Sequence, residues 1–272
     1  MIPSVGAMVK FLTLDTGCCH AGFRQSGLFC WSVVGPVSKE RDIPDKYTAF
    51  APFYDAFSGE YPVYRAGRDR GIEALAPRPG DEVLDVGCGT GLNFPLLQER
   101  IGPAGMIVGI DRSARMLEQA RRRAARAGWK NVILIQADAV LLDAAAIRAA
   151  IQEQGGSPEC DAALATYSLS LMPEWQRAWA NLKALLKAEA RVAVVDMKDP
   201  EGWARLLTPL ARAACALGGA DITAHPWLAV EEDCTNVIRS SARAGHLQIR
   251  AGNLHRNHPD RPPGPGSVPQ IT

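Results

Sequence analysis

With 272 residues, 47% of them hydrophobic and 22% charged, the chain has the make-up of a globular protein that can bury a core. A formal net charge of +1 argues against the concentrated basic surface of a general nucleic-acid binder, and no nucleic-acid partner is expected. No apolar run reaches the roughly 18 residues of a membrane span. Seven cysteines, at 18, 19, 30, 88, 160, 215 and 234, show neither a secretory signal ahead of them nor a recurring C-x-x-C spacing, which points to reduced thiols and a cytoplasmic setting.

The first forty or so residues hold no sustained period of 2 or 3.6 and are broken by Gly17, Gly22, Gly27, Gly35 and Pro36, so 1–44 is expected to be a poorly ordered extension. From Asp45 to Ala76 an aromatic-rich segment with Tyr47, Phe50, Phe53, Tyr54, Phe57, Tyr61 and Tyr64 is expected to be helical in pieces. Pro79-Gly80 then turns the chain into a first strand. Strand and helix alternate from there: Glu82 to Val86 and Leu92 to Arg100; Met106 to Ile110 and Ser113 to Ala127; Val132 to Gln136 and Asp143 to Gln154; Asp161 to Thr166 and Glu174 to Leu186; then a strand from Arg191 to Asp196. Such alternation predicts an α/β fold, a parallel sheet with helices on both faces. One further helix is expected from Trp203 to Leu217, before Gly218-Gly219. Two short β-like runs, Asn236 to Arg239 and His246 to Ile249, follow it, and from Asn253 the density of proline predicts a disordered tail over 253–272.

The chemistry concentrates in Val83-Leu84-Asp85-Val86-Gly87-Cys88-Gly89-Thr90-Gly91. Alternate glycines remove the Cβ atoms that would keep a ligand from the backbone, and they tolerate the positive φ of a sharp strand-to-helix turn. A dinucleotide fingerprint would read G-x-G-x-x-G, but the spacing here is G-x-G-x-G, with Leu92 where the third glycine would fall. Asp111 follows Gly91 by twenty positions, at the end of the second apolar run, where a carboxylate can take both ribose hydroxyls of an adenosine. Cys88 sits inside the turn, where it could be a catalytic thiol or a structural residue. Arg121, Arg122, Arg123 and Arg126 read as a solvated helix face.

The segments VLDVGCGTG, VGIDRSARML and IQADA (Ile135 to Ala139) resemble three motifs of the class I S-adenosylmethionine-dependent methyltransferases. The resemblance spans roughly Tyr47 to Gly252. Tyr54-Asp55-Ala56-Phe57-Ser58-Gly59 and Ser113-Ala114-Arg115-Met116-Leu117 are most similar to the enzymes that methylate quinones or phospholipid head groups. The resemblance implies one methyltransferase domain over 45–252, with a Rossmann-like, doubly wound, mostly parallel seven-stranded sheet. Its last two strands would form a hairpin, with one strand antiparallel to the rest. S-adenosyl-L-methionine is the implied cofactor, and Asp85, Gly87, Gly89, Thr90, Gly91, Asp111, Arg112, Met116, Asp138 and Ala139 are the implied cofactor-binding residues. Asp85 would anchor the turn and the amino group, and Thr90 the carboxylate. Asp111 would take the ribose hydroxyls, Asp138 and the Ala139 amide the adenine, with Met116 on the adenine face. Asp111 or Asp138 alone could instead cap a helix.

Methyl transfer from a sulfonium is an in-line displacement that needs no protein nucleophile, so the lack of a triad or of paired carboxylates fits it. Tyr167, Tyr54 and His225 are the candidates for acceptor contact and catalysis. Tyr167 follows the fourth expected strand, Tyr54 would form an aromatic lid, and His225 could serve as a base for carbon methylation of a quinol. Tyr167 could instead pack on a helix, and His225 could be a surface loop residue. The H-x-x-H pair His255 and His258 gives no metal site, and none is expected. The implied acceptor is a small or lipid-like molecule, with peripheral membrane contact open and the oligomeric state undetermined. Two other readings are a nicotinamide-dependent oxidoreductase, disfavoured by Leu92, and a non-catalytic S-adenosylmethionine-binding protein of the same fold.

Overall fold

Runs of β-branched and aliphatic residues form the strands, and the amphipathic stretches between them form the helices, in a computed structural model that describes residues 32–33 and 64–255. In chain order these are β1 (Ser32–Val33), α1 (Arg65–Leu75), β2 (Glu82–Val86), α2 (Phe94–Ile101), β3 (Met106–Asp111), α3 (Ala114–Ala127), β4 (Val132–Gln136), α4 (Ala144–Glu153) and β5 (Cys160–Thr166). They continue with α5 (Trp175–Lys183), β6 (Leu186–Met197), α6 (Thr208–Gly218), α7 (Leu228–Asp233), β7 (Cys234–Ala242) and β8 (Leu247–Leu254). Short 3-10 turns occupy Leu169–Leu171 and Gly202–Leu207.

The sheet order is β1-β4-β3-β2-β5-β6-β8-β7. Its pairs from β1 to β6 are parallel, while β8 runs antiparallel to both β6 and β7. The expected seven-stranded, mostly parallel sheet is therefore present as β2 to β8, and the two-residue β1 pairs with β4 at its edge. Alternate residues of each central strand serve opposite faces. Leu84, Val108 and Ile133 pack with α4, α5 and α7, whereas Val83, Ile107 and Leu134 pack with α1, α2 and α3. A smaller cluster of Met197, Cys215, Ile222, Ala242 and Leu247 caps the far end of β6, with Tyr64, Tyr167 and Ala211 against it. The order in which strands are added reverses between the parallel neighbours β2 and β5, and the crevice beyond the C-terminal ends of these strands is where open α/β sheets bind ligands.

Three boundaries differ from expectation. The helix expected from Glu174 to Leu186 ends at Lys183, because Leu186 already pairs with Cys160 at the start of an irregular β6. The helix expected from Trp203 to Leu217 divides into a 3-10 turn and α6, with Pro209 in the first turn of α6, where its missing N–H costs no hydrogen bond. The C-terminal strands are about twice the expected length. β7 is an edge strand whose polar, exposed positions hide its period, and β8 continues past residue 252. Arg239 and Arg250 stand directly opposite each other in this hairpin, a repulsive pairing in itself. Glu231 of α7 binds both, which makes the hairpin tenable. The expected extension and tail lie outside the described residues, apart from β1 and the end of β8.

Candidate cofactor and acceptor site

The glycine turn follows β2 directly, with Gly87, Gly89 and Gly91 at φ of 68°, 56° and 76°. Their reasons for being glycine differ. A Cβ on Gly87 would lie 2.4 Å from Cβ of Ser168, and one on Gly91 would lie 2.7 Å from the Phe94 ring. A Cβ on Gly89 would meet no protein atom within 4 Å. Gly87 and Gly91 thus serve close packing of the chain on itself, and Gly89 presents bare backbone to the crevice. Ser168 also donates its hydroxyl to the Val86 carbonyl at 2.7 Å, tying the tip of β5 to the tip of β2.

Asp111 ends β3, and its carboxylate holds two turns at once, accepting the Gly89 N–H at 2.8 Å and the Ser113 N–H at 2.8 Å. It does not cap α3; Ser113 does, accepting the Met116 N–H at 3.4 Å. Asp138 lies just past the end of the neighbouring β4, where the Ala137 N–H bonds to the Asp111 carbonyl at 3.1 Å. Its carboxylate accepts the Val140 N–H at 2.9 Å, while α4 is capped by Asp143. The Ala139 N–H, in a residue only 5% exposed, has no acceptor among the described residues. Its carbonyl, like that of Val140, is held by the Asn181 amide. Met116 is buried in the first turn of α3, and Arg112 is exposed at its entrance. Thr90 is buried, with its carbonyl bound at 2.9 Å by Arg123, so this arginine supports the turn rather than lying on a solvated face.

Asp85 is fully buried beneath the turn. Both its oxygens accept from the Asn93 amide, at 2.8 and 2.9 Å, and Arg68 donates to Asn93 Oδ1 at 2.7 Å and to Thr166 Oγ1 at 3.1 Å. Burial pushes the Asp85 carboxyl up to about 7, with Asp111 adding to the rise and Asn93 and Arg68 opposing it. Arg68 and Thr166 carry no motif and were invisible in the sequence. Asn93 had a signal, standing where a helix cap belongs ahead of Phe94-Pro95, yet it makes no capping bond and turns to Asp85 instead.

Tyr167 sits just past β5 at φ 56°, a left-handed conformation that a bulky side chain adopts only when its surroundings enforce it. Its hydroxyl donates to the Tyr64 carbonyl at 2.7 Å, its ring lies 4.9 Å from that of Tyr64, and Arg68 lies 5.7 Å over its face. Gly67 of α1 permits this approach, since a Cβ there would fall 2.1 Å from the Tyr167 hydroxyl. His225 lies in the loop between α6 and α7, its ring 4.9 Å from that of Trp227 and tilted 42° to it. That loop bonds to the 3-10 turn after β5 through Asp221 N–H and Ser170 O, and Ser170 in turn holds the buried Asp196 at the end of β6. Tyr54 lies outside the described residues. The four described thiols, Cys88, Cys160, Cys215 and Cys234, are free and buried, and burial raises each pKa. Among the described residues no cluster of His, Cys, Asp or Glu is placed to hold a metal ion, and no helix is long and apolar enough to cross a membrane.

The bare backbone at Gly89 and the Ala139 N–H, which has no acceptor among the described residues, fit an adenosyl cofactor together with the strand-end carboxylates of Asp111 and Asp138. The fold and this arrangement define a Rossmann-like, nucleotide-cofactor-binding domain. Residues 77–239 match the methyltransferase domain family, and the chain belongs to it, as a class I S-adenosylmethionine-dependent methyltransferase domain. It is 31% identical to a 2-phytyl-1,4-naphtoquinone methyltransferase of Synechococcus elongatus over 57% of this chain and 63% of the relative. It is 24% identical to a demethylmenaquinone methyltransferase of Listeria monocytogenes over 79% and 88%, respectively. The chain spans less than two thirds of the length of several curated relatives it matches. A solved S-adenosylmethionine-dependent methyltransferase from Aquifex aeolicus shares the fold at TM-score 0.50 and 16% identity, over 76% of this chain and 97% of that one. A chain from the complex of the Haloferax volcanii Trm112 methyltransferase activator with a methyltransferase does so at TM-score 0.56 and 14% identity, over 79% and 98%. The family match gives the oxidoreductase alternative no support.

Proposed function

We propose that this protein transfers a methyl group from S-adenosylmethionine to a small, quinone-like acceptor at the crevice between β2 and β5. The observation that carries this reading is the Gly89 backbone bound to Asp111, with Asp138 and the Ala139 N–H on the next strand end. When bound, S-adenosylmethionine supplies a methyl group activated by its sulfonium charge. In this reading the Gly89 backbone and Thr90 receive the methionyl part, Asp111 orients the ribose, Asp138 and the Ala139 N–H hold the adenine, and Met116 with Arg112 border it. Asp85, fully buried behind the turn, attracts the ammonium through the turn rather than by contact. Positioning of this kind can supply several kcal/mol, up to about 7–11 in the most favourable model reactions.

Tyr167 borders the acceptor side, where its strained backbone fixes the ring and its engaged hydroxyl makes it a wall rather than an acid. His225 is the candidate base for removing the proton of a carbon acceptor, reaching it by way of the loop beside Asp196. The quinone preference is drawn from the relatives above. Peripheral contact with a membrane is supported by Leu206, Leu207 and Leu210, which are 86%, 50% and 69% exposed. They lie on the segment whose inner side, at Ala211 and Cys215, packs in the same cluster as Tyr167. The only charged residues from Gly202 to Gly218 are Arg205 and Arg212, a pattern suited to an anionic lipid surface. A cytoplasmic location belongs to the same proposal.

The test pairs isothermal titration of S-adenosylmethionine with methyl-labelled transfer to demethylated naphthoquinols. Binding by the wild type, about tenfold or more loss in Asp111→Ala, and label in the quinol are the expected results. Absence of binding would sink the cofactor site. Binding with no label in any quinone or lipid acceptor would favour a non-catalytic binding protein.

A further inference from the structure

We propose that Arg68 is a positioning residue that fixes Asp85 as a hydrogen-bond acceptor on the cofactor side of the site, acting through the amide of Asn93. The inference rests on the cofactor reading above. Its basis is the direction of the hydrogen bonds. A guanidinium only donates, so the Asn93 atom that meets Arg68 Nη1 at 2.7 Å must be the amide oxygen. The amide nitrogen is then turned toward Asp85, where it donates to both carboxylate oxygens. Thr166 Oγ1 lies 3.0 Å from the same nitrogen and 3.1 Å from Arg68 Nη1, accepting from both, and its own hydroxyl donates to Asn93 Oδ1 over a longer 3.4 Å. A protonated Asp85 would need an acceptor, which this orientation of Asn93 does not offer.

Without Arg68 the amide oxygen keeps only the long bond from Thr166, whose hydroxyl can rotate to accept from either end of the amide. The amide can turn its oxygen to Asp85 and take a proton's hydrogen bond there, so a buried carboxyl among apolar strands becomes neutral. The other ionisable groups around Asp85 push the same way: the Asp111 carboxylate from β3 favours the neutral form, and the buried Cys88 thiol offers no positive charge. Arg68 is the cation on this side, brought in by α1 from 17 positions earlier in the chain and only 8% exposed. A neutral Asp85 would lose its attraction for the cofactor's ammonium. Because the same guanidinium lies over Tyr167, turnover would mix effects on both substrates, so binding and titration are the appropriate readouts.

The experiment follows the Asp85 carboxyl by carbon-detected NMR across pH in the ligand-free full chain, for the wild type, Arg68→Met and Arg68→Lys. Isothermal titration with S-adenosylmethionine is run at the same pH values. The Asp85 midpoint is expected to rise by about 1–3 pH units in Arg68→Met. The loss of cofactor affinity on acidification should move up with it, while Arg68→Lys stays near the wild-type midpoint. An Arg68→Met protein that folds and titrates Asp85 as the wild type does overturns the proposal, as does an affinity loss of equal size at every pH. If Arg68→Met does not fold, Arg68→Gln is put to the same comparison. A wild type that binds no S-adenosylmethionine refutes the cofactor reading, while the ligand-free titration still decides the role of Arg68.

Discussion

Two glycines in one turn, Gly87 and Gly89, make separable predictions. An alanine at either position carries the cost of a positive φ, roughly 1–2 kcal/mol. At Gly87 it must also displace Ser168, and overpacking adds about 1–3 kcal/mol. Gly87→Ala should therefore melt several degrees lower than Gly89→Ala in calorimetry, whereas Gly89→Ala should lose most S-adenosylmethionine binding. Wild-type affinity in Gly89→Ala would remove Gly89 from the cofactor surface. At this scale the sequence was readable wherever chemistry follows spacing. The glycines, Asp111 and Asp138 stand at strand ends because the strands themselves were clear from their β-branched runs. Arg68 was hidden because its partners lie 25 and 98 positions away, contacts that only the packing of α1 creates. The orientation of the Tyr167 hydroxyl toward Tyr64 was hidden for the same reason.

Among the elements, β2, β4 and the cap of α3 were fully legible, since buried parallel strands read as continuous apolar runs and Ser113 marks a helix start. β7 was half legible, because an edge strand with solvent on one face has little apolar signal to show. The α6 segment carries the prediction that belongs here. A helix of globular proteins buries its apolar stripe, yet Leu206 and Leu210 face outward beside the site. Leu206→Ser with Leu210→Ser should reduce the partition onto anionic phospholipid vesicles, read by co-flotation, by about a hundredfold or more, given about 1.5–3 kcal/mol for each fully buried leucine. The melting temperature should barely change, because exposed substitutions usually fall within about 0.5 kcal/mol. Flotation that is unaffected, or a concentration-dependent dimer lost in the double variant, would assign the leucines to something other than lipid.

For the whole molecule, two fully buried carboxyls set the response to pH. Burial raises Asp85 to about 7 and Asp196 to about 6, the latter despite three hydrogen bonds from Ser170 and Met197. Both folded-state values lie above the unfolded 3.8. The folded protein therefore holds more protons between these limits, and the stabilisation this provides is complete below about 4 and is lost as pH rises through 6 and 7. Melting temperature of the ligand-free protein should then contain a component that falls between pH 5 and pH 8, on the order of a few degrees. Asp85→Asn should remove the upper part of that fall, leaving the part due to Asp196, and raise stability at pH 8 while impairing cofactor binding. An Asp85→Asn melting profile parallel to the wild type at every pH would refute the assignment.

The antiparallel course of β8 has a practical consequence for handling the molecule. Leu247 pairs with Met197 at the ligand end of the sheet, and Asn253 pairs with Arg191 at the opposite end, so the strand carries the chain on the order of 20 Å away from the crevice. A fluorophore or surface tether attached at residue 255 would sit on the side remote from Gly89 and Tyr167. Immobilised through that point, the protein would present its crevice to the solution, and ligand kinetics could be recorded on a chip without the anchor competing for the site.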